Sequence, residues 1–251
     1  GLQHYLKKHS YKNTTSAHLW ESFEKVSGKP VKKFMHTWVS KEGYPLVQVM
    51  TSKGEKLTVS QQRFSLQKNT DNTLWPVPLQ IQESTGEQSK QTLLTKSSQS
   101  IAVDNNSKYL KFNPNETGFY RTMYSPDLLA KLFEPVRERR LGNIDRYGII
   151  RDIGALVKSG HLSSSVFLEF AKAYRNEDSY IIWSEICAIM HSLYNLAQDD
   201  AKLRKELSEY FLWLLKPTAQ LVGWTPDHKE SKSRGMLRAL ILGEYGYYGD
   251  Q

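Results

Sequence analysis

Histidines are the residues of this chain best suited to hold a catalytic metal ion. Seven occur among the 251 residues, at His4, His9, His18, His36, His161, His191 and His228. Zinc hydrolysis needs two histidines close together on one helix, a third ligand, and a carboxylate that activates water. No His-Glu-x-x-His run is present, and a spacing of five places His4 and His9 on different helix faces. His18 and Glu21 could share a face, but no second histidine is near them, so the sequence predicts no metal ligand.

Serine and glycine patterns also lack the spacing of a catalytic or cofactor site. No Gly-x-Ser-x-Gly elbow occurs, and the serines at 97–100 and 163–165 are typical of loops and helix caps. Gly243, Gly246 and Gly249 recur at intervals of three without a preceding strand, unlike a phosphate-binding loop. The sequence therefore predicts no catalytic residue and no cofactor-binding residue.

The formal charge of +8 bears on the partners of the protein. A basic chain attracts anionic partners, although a solvated basic surface explains the same balance. The densest basic clusters are formed by Arg137, Arg139 and Arg140, and by Lys229, Lys232 and Arg234. Neither cluster has the interleaved aromatic residues of a single-strand binding platform. We therefore expect no nucleic-acid partner.

Cysteine usage and hydropathy bear on the compartment. The single cysteine, Cys187, lies in an apolar stretch and is expected to be a buried, inert thiol. This favours a reducing, cytoplasmic location, whereas the sequons at Asn13, Asn105 and Asn115 point the other way. No run of about 18 apolar residues occurs, so no membrane span is expected.

The first zone, residues 1–42, has helical periodicity. Leu19, Phe23 and Val26 follow the spacing i, i+4, i+7, and the next residues include Gly28, which ends a helix readily. Hydroxyl side chains at 14–16 can cap that helix at its start. The chain is expected to begin inside a helix without a cap, as a piece of a larger protein would.

The second zone, residues 43–124, changes to a period of two. Leu57 and Val59 alternate with polar residues, as do Val77, Leu79 and Ile81. Turn clusters separate about seven short runs of this kind, and many short strands favour a small antiparallel β-sandwich.

The third zone, residues 125–251, returns to helical periodicity. Ser125 with Pro126, Asn143 and Ser163 are expected to open the first three helices, and Gly160 to close the second. Longer helices follow at about 178–196 and 199–215. Successive helices with short links favour antiparallel pairs stacked as an α-solenoid.

Ordered motifs along the chain resemble the C-terminal part of M1 zinc aminopeptidases, which are gluzincins. The most specific stretch begins with Trp38 and the entry Gly43-Tyr44-Pro45. The residues that carry the rest of it are Gln61-Gln62-Arg63-Phe64, Leu74-Trp75-Pro76, Lys111-Phe112-Asn113, Gly118-Phe119-Tyr120-Arg121, Asp145-Arg146-Tyr147-Gly148, and Gly160-His161-Leu162-Ser163. Before Trp38, the residues that resemble the last helices of the family's catalytic domain are Tyr5-Leu6, Tyr11, Asn13, Leu19-Trp20 and Val26-Ser27-Gly28. Cytosolic members of the tricorn-interacting or puromycin-sensitive kind are the most similar.

The resemblance implies a multidomain α and β fold. Residues 1–42 would be the terminal helices of a thermolysin-like catalytic domain, 43–124 a β-sandwich, and 125–251 part of a helical, solenoid-like domain. In the family the zinc motif lies upstream, so zinc would belong to the parent enzyme and no catalytic residue is carried over to this chain. The expected partners are the rest of the catalytic domain and, through the parent, peptide substrates.

Two functions of different classes follow. The chain is expected to be the structural, access-controlling part of an enzyme that removes N-terminal residues from peptides, and to be inactive alone. The alternative is a self-standing sandwich-plus-solenoid adaptor that binds proteins along a concave face. An adaptor has no reason to begin with helices that resemble the end of a protease domain.

Overall fold

A computed structural model describes residues 1–52, 56–67, 71–86, 89–104, 106–227 and 229–249. Within these ranges the chain is a mixed α and β protein, as the sequence predicts. The described helices are α1 (Leu2–Lys8), α2 (Ser16–Ser27), α3 (Val31–Ser40), α4 (Pro126–Arg137), α5 (Asn143–Lys158), α6 (Ser164–Ala171), α7 (Tyr180–Leu196), α8 (Ala201–Val222) and α9 (Lys232–Gly249). The described strands are β1 (Pro45–Thr51), β2 (Lys56–Arg63), β3 (Val77–Glu83), β4 (Lys90–Leu94), β5 (Ser98–Ala102), β6 (Leu110–Phe112) and β7 (Arg121–Tyr124).

Helices α1 to α3 form a layer with almost no interior. Among the residues of these three helices, all of which the structure describes, Ser22 alone is buried. The side chains of Leu2, Leu6 and Val26 are each more than half exposed. The predicted caps are confirmed: Thr15 caps α2 reciprocally with His18, and Gly28 ends it in the left-handed conformation. Helix α2 therefore has good capping signals, but all three helices have little apolar burial of their own.

The strands form two sheets. One has the order β5-β2-β1-β7 and the other has the order β4-β3-β6. Most pairings are antiparallel, but the prediction of an antiparallel arrangement is wrong at one of them, because β1 and β7 are parallel, with Leu46 opposite Arg121. A parallel pair needs a long connection, and here the chain forms five other strands between β1 and β7. Strand β7 therefore pairs with the edge of β1 that β2 leaves open.

One continuous cluster of buried side chains joins the strands to the later helices. It runs from Val47 and Trp75 through Leu132 and Trp183 to Tyr248. From the first forty residues, Trp38 packs against this cluster. Burial of apolar surface therefore stabilises the described strands and helices α4 to α9 as a unit much more than it stabilises α1 to α3.

The helix boundaries after residue 125 follow the sequence with two differences. Asn143 is the first residue of α5 and not its cap, because Gly142 takes the capping position and the Asn143 side chain accepts a hydrogen bond from Arg146. Helix α8 extends to Val222, beyond the predicted end at 215, and has Pro217 inside it. The predicted cap at Ser163 is confirmed, since its hydroxyl accepts from the Ser165 backbone.

Candidate functional site

A buried group of charged side chains lies where the strands meet the helices. At its centre is Lys111 of β6, whose side chain is 3% exposed. Its Nζ lies 2.8 Å from Oε1 of Glu116 and 3.7 Å from Oδ1 of Asp145. The same ammonium donates to the backbone carbonyls of Phe112 and Asn113, at 2.7 and 3.1 Å. The buried charge is therefore paired and hydrogen-bonded, which is the condition for leaving it in the interior.

Two arginines extend this group to helix α5. Nη2 of Arg151 lies 2.7 Å from Oε2 of Glu116 and 3.3 Å from Oδ1 of Asp152. Nη1 of Arg121 lies 3.0 Å from the same Asp152 oxygen, and the Thr122 backbone donates to Oδ2 at 2.8 Å. We call Lys111, Glu116, Arg121, Asp145, Arg151 and Asp152 the junction network. Its three cations balance its three carboxylates.

The backbone around residues 113–118 brings Glu116 to Lys111. Asn113, Asn115 and Glu116 all have φ between 52° and 56°, in the left-handed region that few side chains adopt. The Asn113 amide holds this turn by accepting from the Gly118 N–H at 2.7 Å and donating to its carbonyl at 2.9 Å. The strained turn therefore serves to point the Glu116 carboxylate into the network.

Gly148 of α5 makes room for that carboxylate. A Cβ atom at this position would lie 2.0 Å from Oε1 of Glu116. Burial raises the pKa of the Glu116 carboxyl, while the neighbouring Lys111 opposes the rise. The helix and the turn are thus fitted to one another at this point of contact.

An aromatic layer continues from Arg121 towards the first helices. Nε of Arg121 donates to the Tyr44 hydroxyl at 3.0 Å, and the guanidinium of Arg121 lies 5.1 Å from the centre of the Phe64 ring. Tyr44 stacks on Phe64 and contacts Phe119, which in turn contacts Trp38 of α3. Gly43, which precedes Tyr44, has a φ of +85°, a conformation that few residues other than glycine adopt.

A second buried ion pair joins the helices to one another. Arg146 of α5 donates to both carboxylate oxygens of Glu177, at 2.8 and 3.0 Å, and both side chains are at most 4% exposed. The Glu177 carbonyl accepts from the Trp183 indole at 2.9 Å and from the Thr218 hydroxyl at 3.0 Å. One acidic residue between α6 and α7 thereby connects α5, α7 and α8.

The histidines do not come together in a metal-binding arrangement. His9 and His18 stack with their ring centres 4.8 Å apart, and Nδ1 of His18 accepts from the Thr15 backbone as part of a helix cap. His161 bonds Ser159 and Gln62, His191 pairs with Glu244, and His228 lies outside the described residues. Within the described ranges, no group of three or more His, Cys, Asp or Glu side chains could hold a metal ion. The described residues therefore do not fit zinc.

Other residues singled out from the sequence have structural contacts. The arginines of the first basic cluster pair with carboxylates, and the pairs are Arg137 with Glu134, Arg139 with Asp178, and Arg140 with Glu138.

Cys187 is buried, as predicted, and burial raises the pKa of its thiol. Asn13 and Asn115 are exposed, and Asn105 lies outside the described residues. None of the described helices is long and apolar enough to cross a bilayer.

Sequence reasoning missed the junction network. One signal was available: Lys111 stands between Leu110 and Phe112 in a strand whose three residues are all buried. A lysine in such a place must have a buried partner. The two carboxylate partners of Lys111 lie five and 34 positions further along the chain and come from different elements, so spacing alone does not identify them.

Each charged side chain of the junction network is ion-paired with another member of it. The family model of the ERAP1-like C-terminal domain matches residues 109–251, and that of the Peptidase family M1 domain matches residues 1–38. The chain belongs to the family of ERAP1-like C-terminal domains, and the relatives that it matches are M1 aminopeptidases.

Individual relatives agree with this assignment. Aminopeptidase M1-D of Oryza sativa subsp. japonica is 34% identical over 96% of this chain and 29% of its own length. Tricorn protease-interacting factor F2 of Thermoplasma acidophilum is 34% identical over 94% of this chain and 29% of its own. Puromycin-sensitive aminopeptidase of Caenorhabditis elegans is 28% identical over the whole chain and 28% of its own. The chain spans less than a third of the length of these relatives.

Proposed function

We propose that this chain is the C-terminal, access-controlling part of a zinc aminopeptidase that removes N-terminal residues from peptides, and that it is inactive alone. The observation that carries the proposal is the exposure of the apolar side chains of α1 to α3. These helices match the M1 peptidase domain, yet they bury almost nothing among themselves. Short helices with exposed apolar side chains need another surface to pack on.

The proposed division of the chain has three parts. Residues 1–42 belong to the catalytic domain, 43–124 form a β-sandwich, and 125–251 begin a solenoid of helix pairs. In support, Val47 and Val49 of one sheet and Leu79 and Ile81 of the other are fully buried in one cluster. We also propose a reducing, cytoplasmic setting, which the buried thiol of Cys187 suits.

The junction network gives the proposed part its mechanical role. It ties β6, β7 and the turn at 114–116 to α5 through ion pairs that are mostly buried. The Arg146–Glu177 pair then ties α5 to the later helices. A helical region fixed to the strands in this way would move as one body, so its position over a neighbouring catalytic domain would set which peptides can enter.

Zinc in this proposal belongs to the rest of the enzyme. It would polarise the scissile carbonyl and activate a water molecule there. The residues of this chain would limit access and support the catalytic domain through α1 to α3, and would not ligate the metal.

The test uses the reading frame upstream of residue 1 and the protein it encodes. An upstream zinc-binding His-Glu-x-x-His with a later glutamate supports the proposal. The longer protein should bind zinc and hydrolyse peptides, whereas residues 1–251 alone should do neither. An upstream frame without such a motif would favour the protein-binding adaptor instead.

A further inference from the structure

Helices α4 and α6 enclose an open groove that the junction network does not use. Its volume is 670 Å³. The side chains that α4 presents to it include Leu129, Phe133 and Glu134, and those from α6 include Val166 and Phe170. On each helix the lining positions recur at intervals of three and four, so one face of each helix forms one wall. The groove is therefore continuous along both helices.

The floor of the groove is apolar and well packed. Phe133 and Phe170 meet edge to face, with ring centres 5.9 Å apart and an interplanar angle of 88°. Leu129 and Phe170 are less than 10% exposed, so the floor is a fixed surface. A partner that fills the groove would bury apolar area without first ordering these side chains.

The charged side chains that line the groove within the described residues are both acidic. They are Glu134 and Glu169, although the whole chain carries a formal charge of +8. Each belongs to the last turn of its helix and is next in sequence to a phenylalanine of the floor pair. The two carboxylates and the negative ends of two helix dipoles therefore lie at the same end of the groove.

Each carboxylate already has one cation, placed outside the lining. Oε2 of Glu134 lies 2.5 Å from Nη2 of Arg137, and Oε2 of Glu169 lies 2.5 Å from Nζ of Lys172. All four side chains are at least 41% exposed, so solvent screens these pairs strongly. The other oxygen of each carboxylate is available to a further donor.

We propose that this groove binds a basic amphipathic helix of another protein. Two helices that line one groove can accept the ridge of a third helix between them. The lining of α4 extends from Pro126 to Glu134, which is about 12 Å or two helical turns. The partner helix would place apolar residues at i, i+3, i+4 and i+7 on the floor and a lysine or arginine beside Glu134 and Glu169. The proposal does not depend on the function proposed above.

The test measures binding of two fluorescein-labelled 14-residue helical peptides to the purified chain by anisotropy. Both peptides carry leucines at i, i+3, i+4 and i+7, and one carries lysines where the other carries glutamates. The basic peptide should bind at least tenfold more tightly. Ala130→Lys, which places a cation in the groove at an exposed position, should abolish its binding, whereas Ala201→Lys, also exposed, should leave it unchanged.

A second pair of variants isolates the charge. The double variant E134Q/E169Q should weaken the basic peptide at least fivefold and reduce the salt dependence of its binding. The control E138Q/E206Q also removes two exposed, ion-paired carboxylates and should have no effect. Equal binding of both peptides, binding that survives Ala130→Lys, or no binding at millimolar peptide would overturn the proposal. So would a dimer in light scattering that Ala130→Lys converts to monomers, because a second copy would then fill the groove.

Discussion

The guanidinium of Arg146 holds both carboxylate oxygens of Glu177, and neither side chain is more than 4% exposed. Its remaining donors bond the Leu141 carbonyl at 2.6 Å and Oδ1 of Asn143 at 2.8 Å. Four of the five side-chain N–H groups of this arginine thus have an acceptor. The joint between α5 and the later helices is consequently a buried ion pair supported by two further hydrogen bonds.

Removing the arginine should be strongly destabilising. Arg146→Met leaves the Glu177 carboxylate buried without its cation, which costs about 3–5 kcal/mol of unfolding free energy. Urea denaturation measures the change. Arg137→Met breaks the exposed pair with Glu134 and should cost less than about 1 kcal/mol. Equal losses for the two variants would contradict the buried role of Arg146.

Two glycine-to-alanine changes in helices should have opposite signs. Gly243→Ala in α9 meets no atom within 4 Å and should stabilise by about 0.5–1 kcal/mol through helix propensity. Gly148→Ala in α5 gains the same propensity, but its methyl group displaces Glu116 from its partners, so it should destabilise by about 1–3 kcal/mol. Thermal unfolding followed by circular dichroism measures both. Stabilisation by Gly148→Ala would show that Glu116 is not fixed there.

The junction network should give stability a specific pH dependence. Burial raises the pKa of Glu116 above its ordinary value of 4.5, so the folded chain holds this proton more tightly than the unfolded chain does. The resulting stabilisation is fully present below pH 4.5 and is lost as the pH rises through the raised pKa. The advantage of the wild type over Glu116→Gln should therefore shrink as the pH rises.

Urea denaturation of both proteins at intervals from pH 4 to pH 8 measures this trend. Glu138→Gln, which removes an exposed carboxylate, is the control and should show no such trend. A wild-type advantage over Glu116→Gln that grows with pH would mean that the ion pairs to Lys111 and Arg151, and not burial, govern the carboxyl.

Trp38 should control the attachment of the first helices. Its ring contacts Trp75 and Phe119, and its indole N–H donates to the Pro76 carbonyl at 3.3 Å. Trp38→Ala should cost roughly 2 kcal/mol of this attachment, less than the ~3–5 kcal/mol of a fully buried tryptophan. Limited proteolysis should then cleave residues 39–44 faster, while the remainder stays folded.

Trp224, which is 76% exposed, supplies the comparison for that experiment. Trp224→Ala should change neither cleavage nor stability by more than about 0.5 kcal/mol. If Trp38→Ala left the cleavage rate at 39–44 unchanged, other contacts would have to hold α1 to α3.

Local chemistry accounts for what the sequence predicts well. Gly28, Thr15 and Ser163 act through neighbours within four positions, so their roles as caps could be read from spacing. The approach of β7 to β1 could not, because a parallel pairing at a sheet edge depends on the whole path of the strands between them.

The junction network could not be predicted from local spacing either, because its members come from distant parts of the chain. Lys111 and Asp145 are 34 positions apart, yet Nζ of Lys111 lies 3.7 Å from Oδ1 of Asp145. Ordered motifs around these residues resemble a family, but they do not show which charges meet. The absence of a catalytic pattern, in contrast, was predicted from the spacing of the histidines and serines and stays a prediction.

The most direct test of the account is the zinc content and peptidase activity of the purified 251-residue chain. Mass spectrometry of the metal, after incubation with zinc and gel filtration, should find far less than one zinc per chain. The same sample should release no amine from a panel of fluorogenic aminoacyl amides, while a longer protein that includes the upstream residues should do so. One tightly bound zinc per chain together with aminoacyl-amide turnover by residues 1–251 alone would contradict the account.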